Sequence, residues 1–161
     1  MRKLVIADAG PLIAFARLGQ LELLTQIFAQ VLVTEEVFAE CTCCSDYPEA
    51  KPILEAARNK LIQRCAAPPF QFQLAMHVDA CEASAIAAAA DWGCAVLMDD
   101  KAGRCMAKNF GVTSIGTVGV LVLAKQKNLL PGIRPLLDQL TASGYFLGDK
   151  LIASALAMVG E

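Results

Sequence analysis

Short apolar runs alternate with stretches of helical spacing along the 161 residues of this chain. The apolar runs predict strands at Leu4–Ala7, Val31–Val33, Leu61–Cys65, Cys94–Met98 and Val112–Ile115. Helical spacing predicts a first helical segment over 12–28, with a break at Gly19, and a helix that Thr34 caps. Further helices are predicted over 52–58, 82–92, 101–109, 117–127, 133–142 and 148–159. A turn region at 41–48 and a loop at 66–79 complete the pattern. This alternation favours the α/β class, with a central parallel sheet covered by helices on both faces.

The composition is typical of a globular protein. Hydrophobic residues make up 56% of the chain and charged residues 19%, which is enough for one domain over 1–161 with a buried core. The charge-free stretch that begins at Asn109 ends at Ala124, short of the roughly 20 apolar residues that a membrane-spanning helix needs. Asp8 interrupts the first apolar run early, so we expect neither a membrane span nor a secretion signal.

Charge and cysteine content narrow the expectations further. Fourteen Lys and Arg against sixteen Asp and Glu give a net charge of −2, which excludes a broad basic field but leaves a local basic patch open. The seven cysteines are an odd number without a secretion signal. We therefore expect reduced thiols and a cytoplasmic location rather than a disulfide framework.

Acidic side chains stand where predicted strands end and predicted helices begin. Asp8 follows the first strand, Asp99 and Asp100 follow the fourth, Glu82 opens a helix, and Glu40 lies in the acidic helix after Thr34. Ligands of parallel α/β sheets bind beyond the carboxyl ends of the strands, so these acids converge if the first and fourth strands are neighbours. Clustered carboxylates repel one another unless a cation neutralises them, and ligation by oxygen alone suits Mg²⁺ or Mn²⁺ rather than zinc.

Each acid also has a plainer structural interpretation. An Asp that follows a strand is often the N-cap of the next helix, and this role is open for Asp8, Asp99 and Asp100. Glu40 fits a solvent-facing helix surface, and Glu82 fits the favourable end of a helix dipole. The joint placement of the acids, rather than any one of them, favours a metal site.

Basic side chains recur at helical spacing directly after the acidic pair. Lys101, Arg104 and Lys108 form a stripe on the predicted helix 101–109, beside the acids. Such a stripe suits the phosphates of a nucleic acid, and these three residues are the predicted nucleic-acid-binding set. An ordinary solvated helix face explains the same spacing equally well.

Several segments together resemble the PIN-domain nucleases, in the branch close to toxins of type II toxin–antitoxin pairs. The matching segments are Leu4–Ile13, Val31–Glu40, Cys81–Ala87, Val96–Arg104, Ile115–Leu121 and Leu147–Ile152. They occur in the family's order and cover nearly the whole chain. By this resemblance the fold is a PIN-like three-layer arrangement, with a central parallel sheet flanked by helices.

The resemblance also implies an activity, which is the Mg²⁺- or Mn²⁺-dependent cleavage of single-stranded RNA. Asp8, Glu40, Glu82 and Asp99 map onto the family's acidic catalytic residues, and Asp8, Glu82 and Asp99, with Asp100 as an extra ligand, would hold the metal. The implied partners are an RNA substrate and a cognate antitoxin protein. A homodimer is also implied, for which the apolar helix 151–159 offers an interface.

Three positions depart from the pattern of the family's toxin-like branch. Cys81 stands where relatives have Gly, Ser84 where they have a second acid, and Gly10 where many have Ser. The changes remove one negative charge and one hydroxyl from the pocket, so metal affinity is the property they affect. A non-catalytic PIN-like module that binds nucleic acid or protein is therefore the competing hypothesis. A phosphoryl-handling receiver domain is a third, against which the single acid at Asp8 argues.

Overall fold

The computed structural model describes residues 3–69 and 71–161. Within them the strands are β1 Leu4–Ala7, β2 Gln30–Thr34, β3 Gln63–Cys65, β4 Ala95–Leu97 and β5 Ser114–Ile115. The helices are α1 Ala9–Arg17, α2 Leu21–Ile27, α3 Glu35–Thr42, α4 Ala50–Arg58, α5 Gln71–Leu74, α6 Ala80–Trp92, α7 Lys101–Asn109, α8 Thr117–Gln126, α9 Arg134–Ala142 and α10 Asp149–Val159. The predicted α/β class, a parallel sheet flanked by helices, is confirmed.

The sheet is parallel throughout, in the order β3-β2-β1-β4-β5. The central strand β1 pairs with β2 on one side and β4 on the other, and Ile6 stands opposite Leu32 and Val96. Val5 and Ile6 are completely buried, as expected of a strand with helices on both faces. The first and fourth predicted strands are therefore neighbours, and the chain leaves both at the same edge of the sheet.

One continuous hydrophobic core joins the helices to the sheet. Its largest fully buried side chains come from both strands and helices, and include Ile6, Leu12, Phe15, Ile86, Leu97 and Leu121. Alanines fill most of the buried face of α6, which lets this helix lie close against β1, β2 and β4. The close approach of α6 brings its first turn to the carboxyl edge of the sheet.

Sequence patterns located most elements, with instructive exceptions. The break predicted at Gly19 is real, because this glycine has a φ of 64° and separates α1 from α2. The predicted loop 66–79 contains the short helix α5, and its residue Phe70 lies outside the described residues. Helix α6 begins two residues before Glu82, because Asp79 caps it. Among the described residues, no helix has both the length and the apolar character needed to cross a membrane.

Candidate active site

The carboxyl edge of the sheet brings two of the predicted acids next to each other in the topology. Asp8 directly follows β1, and Asp99 follows β4 after Met98. The backbone N–H of Asp8 donates to the carbonyl of Leu97 at 2.9 Å, which extends the pairing of β1 with β4 by one residue. The chain thus turns away from the sheet at the same level in both strands. This is the arrangement in which acids that follow the two strands lie close together.

Asp8 is a buried carboxylate whose environment disfavours negative charge. Its exposed fraction is only 6%, and its Oδ1 atom has no hydrogen-bond partner among the described residues. The pKa of Asp8 is raised from 3.8 to about 7, mainly by burial and also by the charges of Glu82, Asp79 and Glu40, against the lowering effect of the Ala9 N–H. Although Asp8 occupies the N-cap position of α1, its side chain makes no capping hydrogen bond in the described structure. In the described part of the chain, Asp8 therefore stands at the N-cap position without the side-chain hydrogen bond that a capping residue makes.

Glu82 faces the same region from the first turn of α6. It forms a capping box with Asp79: the Glu82 N–H donates to Asp79 Oδ1 at 2.8 Å, and the Asp79 N–H donates to Glu82 Oε2 at 3.3 Å. Burial, followed by the charge of Asp79 and then those of Asp100 and Glu40, raises the pKa of Glu82. The glutamate thus has a structural role in addition to its place among the acids.

Asp99 is held by three hydrogen bonds from two elements distant in sequence. Its Oδ1 accepts from the backbone N–H of Thr117 at 2.7 Å, and its Oδ2 accepts from the Thr117 hydroxyl at 2.6 Å and from the Tyr145 hydroxyl. Burial and the charge of Asp99 raise the pKa of Tyr145, so the phenol stays protonated and donates. Sequence analysis missed both Thr117 and Tyr145. The only available signal was Thr117 at the start of a predicted helix.

The remaining predicted acids lie at the border of this group. Asp100 is the N-cap of α7, since its Oδ2 accepts from the Gly103 N–H at 2.8 Å, so the capping interpretation is correct there. Its charge still reaches Glu82, whose pKa it raises. Glu40 is exposed on α3, yet its charge acts on Asp8 and Glu82. All five predicted acids therefore surround one edge of the sheet, with Asp8 and Asp99 at its centre.

The predicted basic stripe lies on the exposed side of α7. Lys101, Arg104 and Lys108 are all solvent-exposed. Arg104 reaches towards the sheet edge, because a Cβ placed on Gly116 would lie 2.8 Å from Arg104 Nη1 and 3.0 Å from Asp99 Oδ1. The guanidinium and the Asp99 carboxylate thus border the same space above Gly116. Whether the stripe contacts RNA stays a prediction.

A family model described as a PIN domain matches residues 4–161 of the chain. The protein belongs to the PIN-domain family. Its members are generally nucleases that typically use divalent metal ions. No protein with a curated description matches the chain.

Two departures of this PIN domain from the expected sequence pattern now have a structural explanation. A Cβ on Gly10 would lie 3.3 Å from the hydroxyl oxygen of Tyr145, so Tyr145 brings a hydroxyl close to the place where the family resemblance led us to expect Ser. Ser84 is completely buried, where its hydroxyl lies 2.7 Å from that of Thr34 and donates to the carbonyl of Cys81. An acid at position 84 would therefore displace this packed hydroxyl pair.

Carboxylate oxygens are the donors that this edge of the sheet offers to a divalent cation. In the described ranges, 3–69 and 71–161, no three His, Cys, Asp or Glu side chains are grouped closely enough to hold a metal ion. The chemistry of the donors nevertheless fits one, because Asp8 presents a buried oxygen without a partner and neighbouring acids oppose its ionisation. A cation here would offset that repulsion, provided that Glu82 shifts towards Asp8.

Proposed function

We propose that this PIN domain is a Mg²⁺- or Mn²⁺-dependent endoribonuclease that cleaves single-stranded RNA. The observation that carries the proposal is the buried carboxylate of Asp8, with an oxygen atom lacking a partner and a pKa raised to about 7 by burial and neighbouring acids. Strongly perturbed acids of this kind cluster at functional sites. The choice of RNA over DNA rests on the resemblance to the toxin-like branch of the family.

In this proposal Asp8, Glu82 and Asp99 hold the metal, Asp100 assists them, and Glu40 completes the acidic set. A bound cation would neutralise the scissile phosphate and lower the pKa of the attacking water. Thr117 and Tyr145 fix the carboxylate of Asp99 through its three hydrogen bonds. The carboxylate is therefore already oriented before the reaction and does not have to reorient in the transition state. The exposed stripe Lys101–Arg104–Lys108 would hold phosphates of the strand beside the acids.

We further propose a toxin-like role with a cognate antitoxin, and a homodimer. Support for the toxin role is the sequence resemblance. The homodimer has support from α10, where Leu151 is 50% exposed and Met158 is 65% exposed. A cytoplasmic location is proposed as well. It is supported by the seven cysteines, which all lie in the described part of the chain and are free thiols.

Incubation of the purified protein with a mixed pool of labelled RNA tests the nuclease proposal. Cleavage is expected with Mn²⁺ or Mg²⁺, and none with EDTA. Asp8→Asn should abolish it, while Asp138→Asn, a change of the same kind on the exposed face of α9, should leave it intact. Cleavage that persists in EDTA, or in Asp8→Asn with its metal requirement unchanged, contradicts the proposal. Growth arrest on expression, relieved by Asp8→Asn, tests the toxin role separately.

A non-catalytic binding module is the second candidate, and one observation favours it. In the described part of the chain no preformed group of three metal ligands exists, and both oxygens of Asp99 already accept hydrogen bonds. Such a module would bind RNA without cleaving it, and Mn²⁺ would not raise its melting temperature. Because a ligand that binds only the folded protein must stabilise it, a thermal shift with Mn²⁺ separates the two candidates.

A further inference from the structure

A second depression opens beside the acidic site, on the other side of Asp99. Its volume is about 420 Å³, and it lies between α7, the first turn of α8 and the segment before α10. Among its lining residues are Asp99, Arg104, Gly116, Phe146 and Leu151. We name it the Phe146 cavity. It shares Asp99 with the candidate active site, so a ligand in the cavity would reach the acids directly.

Two features keep the Phe146 cavity open and fix its wall. A Cβ at Gly116 would lie 2.8 Å from Arg104 Nη1 and 3.0 Å from Asp99 Oδ1, so a side chain there would fill the space and push the guanidinium aside. Tyr145 ties the wall to the site, because its hydroxyl donates to Asp99. Phe146 is the next residue along the chain, so the hydrogen bond of Tyr145 limits how far the backbone at Phe146 can move from the cavity.

The wall of the cavity combines an aromatic ring with a cation. Phe146 is 90% exposed, and Leu151 beside it in the lining is half-exposed. Arg104 lines the same cavity and presents an exposed guanidinium. Aromatic rings next to basic groups are how proteins bind single-stranded nucleic acids, since a base stacks on the ring while its phosphate meets the charge. A purely apolar ligand would use only the ring, and a purely anionic ligand only the guanidinium.

We propose that the Phe146 cavity is a base-binding subsite, in which Phe146 stacks on a nucleobase of single-stranded RNA and Arg104 holds the adjoining phosphate. The subsite rests on the proposed nuclease function, because its shared wall at Asp99 places the bound nucleotide next to the phosphodiester to be cut. It also gives a reason for a preference for single strands, since a base within a duplex has no free face for the ring.

The test compares two fluorescent oligoribonucleotides of about eight nucleotides, one of uridines and one with the same backbone but no bases. Their binding is measured by anisotropy in the Asp8→Asn background, where cleavage is not expected. Phe146→Ala should weaken binding of the uridine strand about 5- to 150-fold, the range for losing one stacked base, and change the abasic strand less than about twofold. Phe146→Tyr should retain binding.

Trp92→Ala is the matched control. Trp92 is an aromatic residue, 54% exposed, and lines a different cavity with Lys3 and Phe110 at the amino ends of the strands. It should leave binding of both strands unchanged. In protein with Asp8 intact, Phe146→Ala should raise KM for the uridine strand while cleavage still requires Mn²⁺.

Three results would overturn the subsite. If Phe146→Ala binds the uridine strand as tightly as the protein with Phe146 intact, stacking is excluded. If Phe146→Ala loses the same affinity for the uridine and the abasic strand, Phe146 affects only the path of the RNA backbone. A dimer that dissociates in Phe146→Ala, with RNA binding unchanged, means that a second copy covers the cavity. Cleavage by the wild type in each of these cases leaves the proposed function standing. Failure of the wild type to bind or cleave RNA refutes the function itself.

Discussion

Replacement of Asp8 by Asn changes a buried, charge-disfavoured group into a neutral one of nearly the same shape. The metal-free protein must either keep Asp8 protonated or bury its charge near Glu82 and Glu40. Asparagine removes that cost. We therefore expect Asp8→Asn to be more stable than the wild type in EDTA at neutral and alkaline pH, although it loses activity.

The size and the pH range of the effect follow from the pKa of Asp8. Because the folded-state value, about 7, lies above the unfolded value of 3.8, the folded protein binds more protons between these two pH values. Stability from protonation is then complete below about pH 4 and is lost as the pH rises through 7. A pKa change of this size corresponds to about 4 kcal/mol in total, and to about 3 kcal/mol between pH 5 and pH 8.

Urea unfolding in EDTA across this pH range measures the effect. The wild type should be less stable than Asp8→Asn by about 1 to 2 kcal/mol at pH 5, and the difference should grow to about 4 kcal/mol at pH 8. Asp138→Asn, on an exposed helix face, serves as the control and should follow the wild type at every pH.

Manganese should oppose this order, and at a concentration about 1,000-fold above Kd it should cancel the difference at pH 8. Binding to the folded state adds about 2.7 kcal/mol at a concentration 100-fold above Kd and about 4.1 kcal/mol at 1,000-fold, and the wild type should receive this gain while Asp8→Asn should not. A stability difference that does not change with pH would refute the burial argument. Equal stabilisation of both proteins by Mn²⁺ would refute the role of Asp8 as a ligand.

Further changes test the neighbours of Asp8. Asp99→Asn should abolish Mn²⁺-dependent cleavage without unfolding the protein; full activity by a gel assay would remove Asp99 from the site. Arg104→Ala should weaken single-stranded RNA binding and lower the slope of log K against log salt by about 0.7, whereas Lys127→Ala at the far end of α8 should not. Asp79→Ala should lower the free energy of unfolding by about 1 kcal/mol and Asp79→Asn by much less, since Asn also caps; equal losses in urea titrations would argue against the capping box.

The family resemblance and the pattern of strands predicted which acidic residues stand at the candidate site. Asp8 and Asp99 each follow a short apolar run that predicts a strand. Because the strands are parallel and neighbouring, their carboxyl ends lie at one edge of the sheet, and so do the two acids. The same pattern was ambiguous about what each acid does. Asp8 and Asp100 both precede a helix, yet only Asp100 makes a capping hydrogen bond in the described structure.

Burial was harder to judge than secondary structure. The position of Trp92 near the end of an apolar helix favours a core residue, yet its exposed fraction is 54%. The helix that bears it is so rich in alanine that the spacing of apolar residues does not mark a single buried face. Only the packing of α6 against three strands determines which side is covered.

The sequence by itself determined where the strands and helices run, that the sheet is parallel, and which acids stand at the strand ends. These properties depend on local spacing and on the chemistry of single residues. Tertiary structure alone decided that Asp8 is buried with an oxygen lacking a partner in the described chain, and that Tyr145 donates to Asp99 from 46 residues away. It also placed Phe146 beside Arg104. Contacts of this kind leave no periodic signal, because they depend on how distant elements pack, and packing is a property of the whole chain.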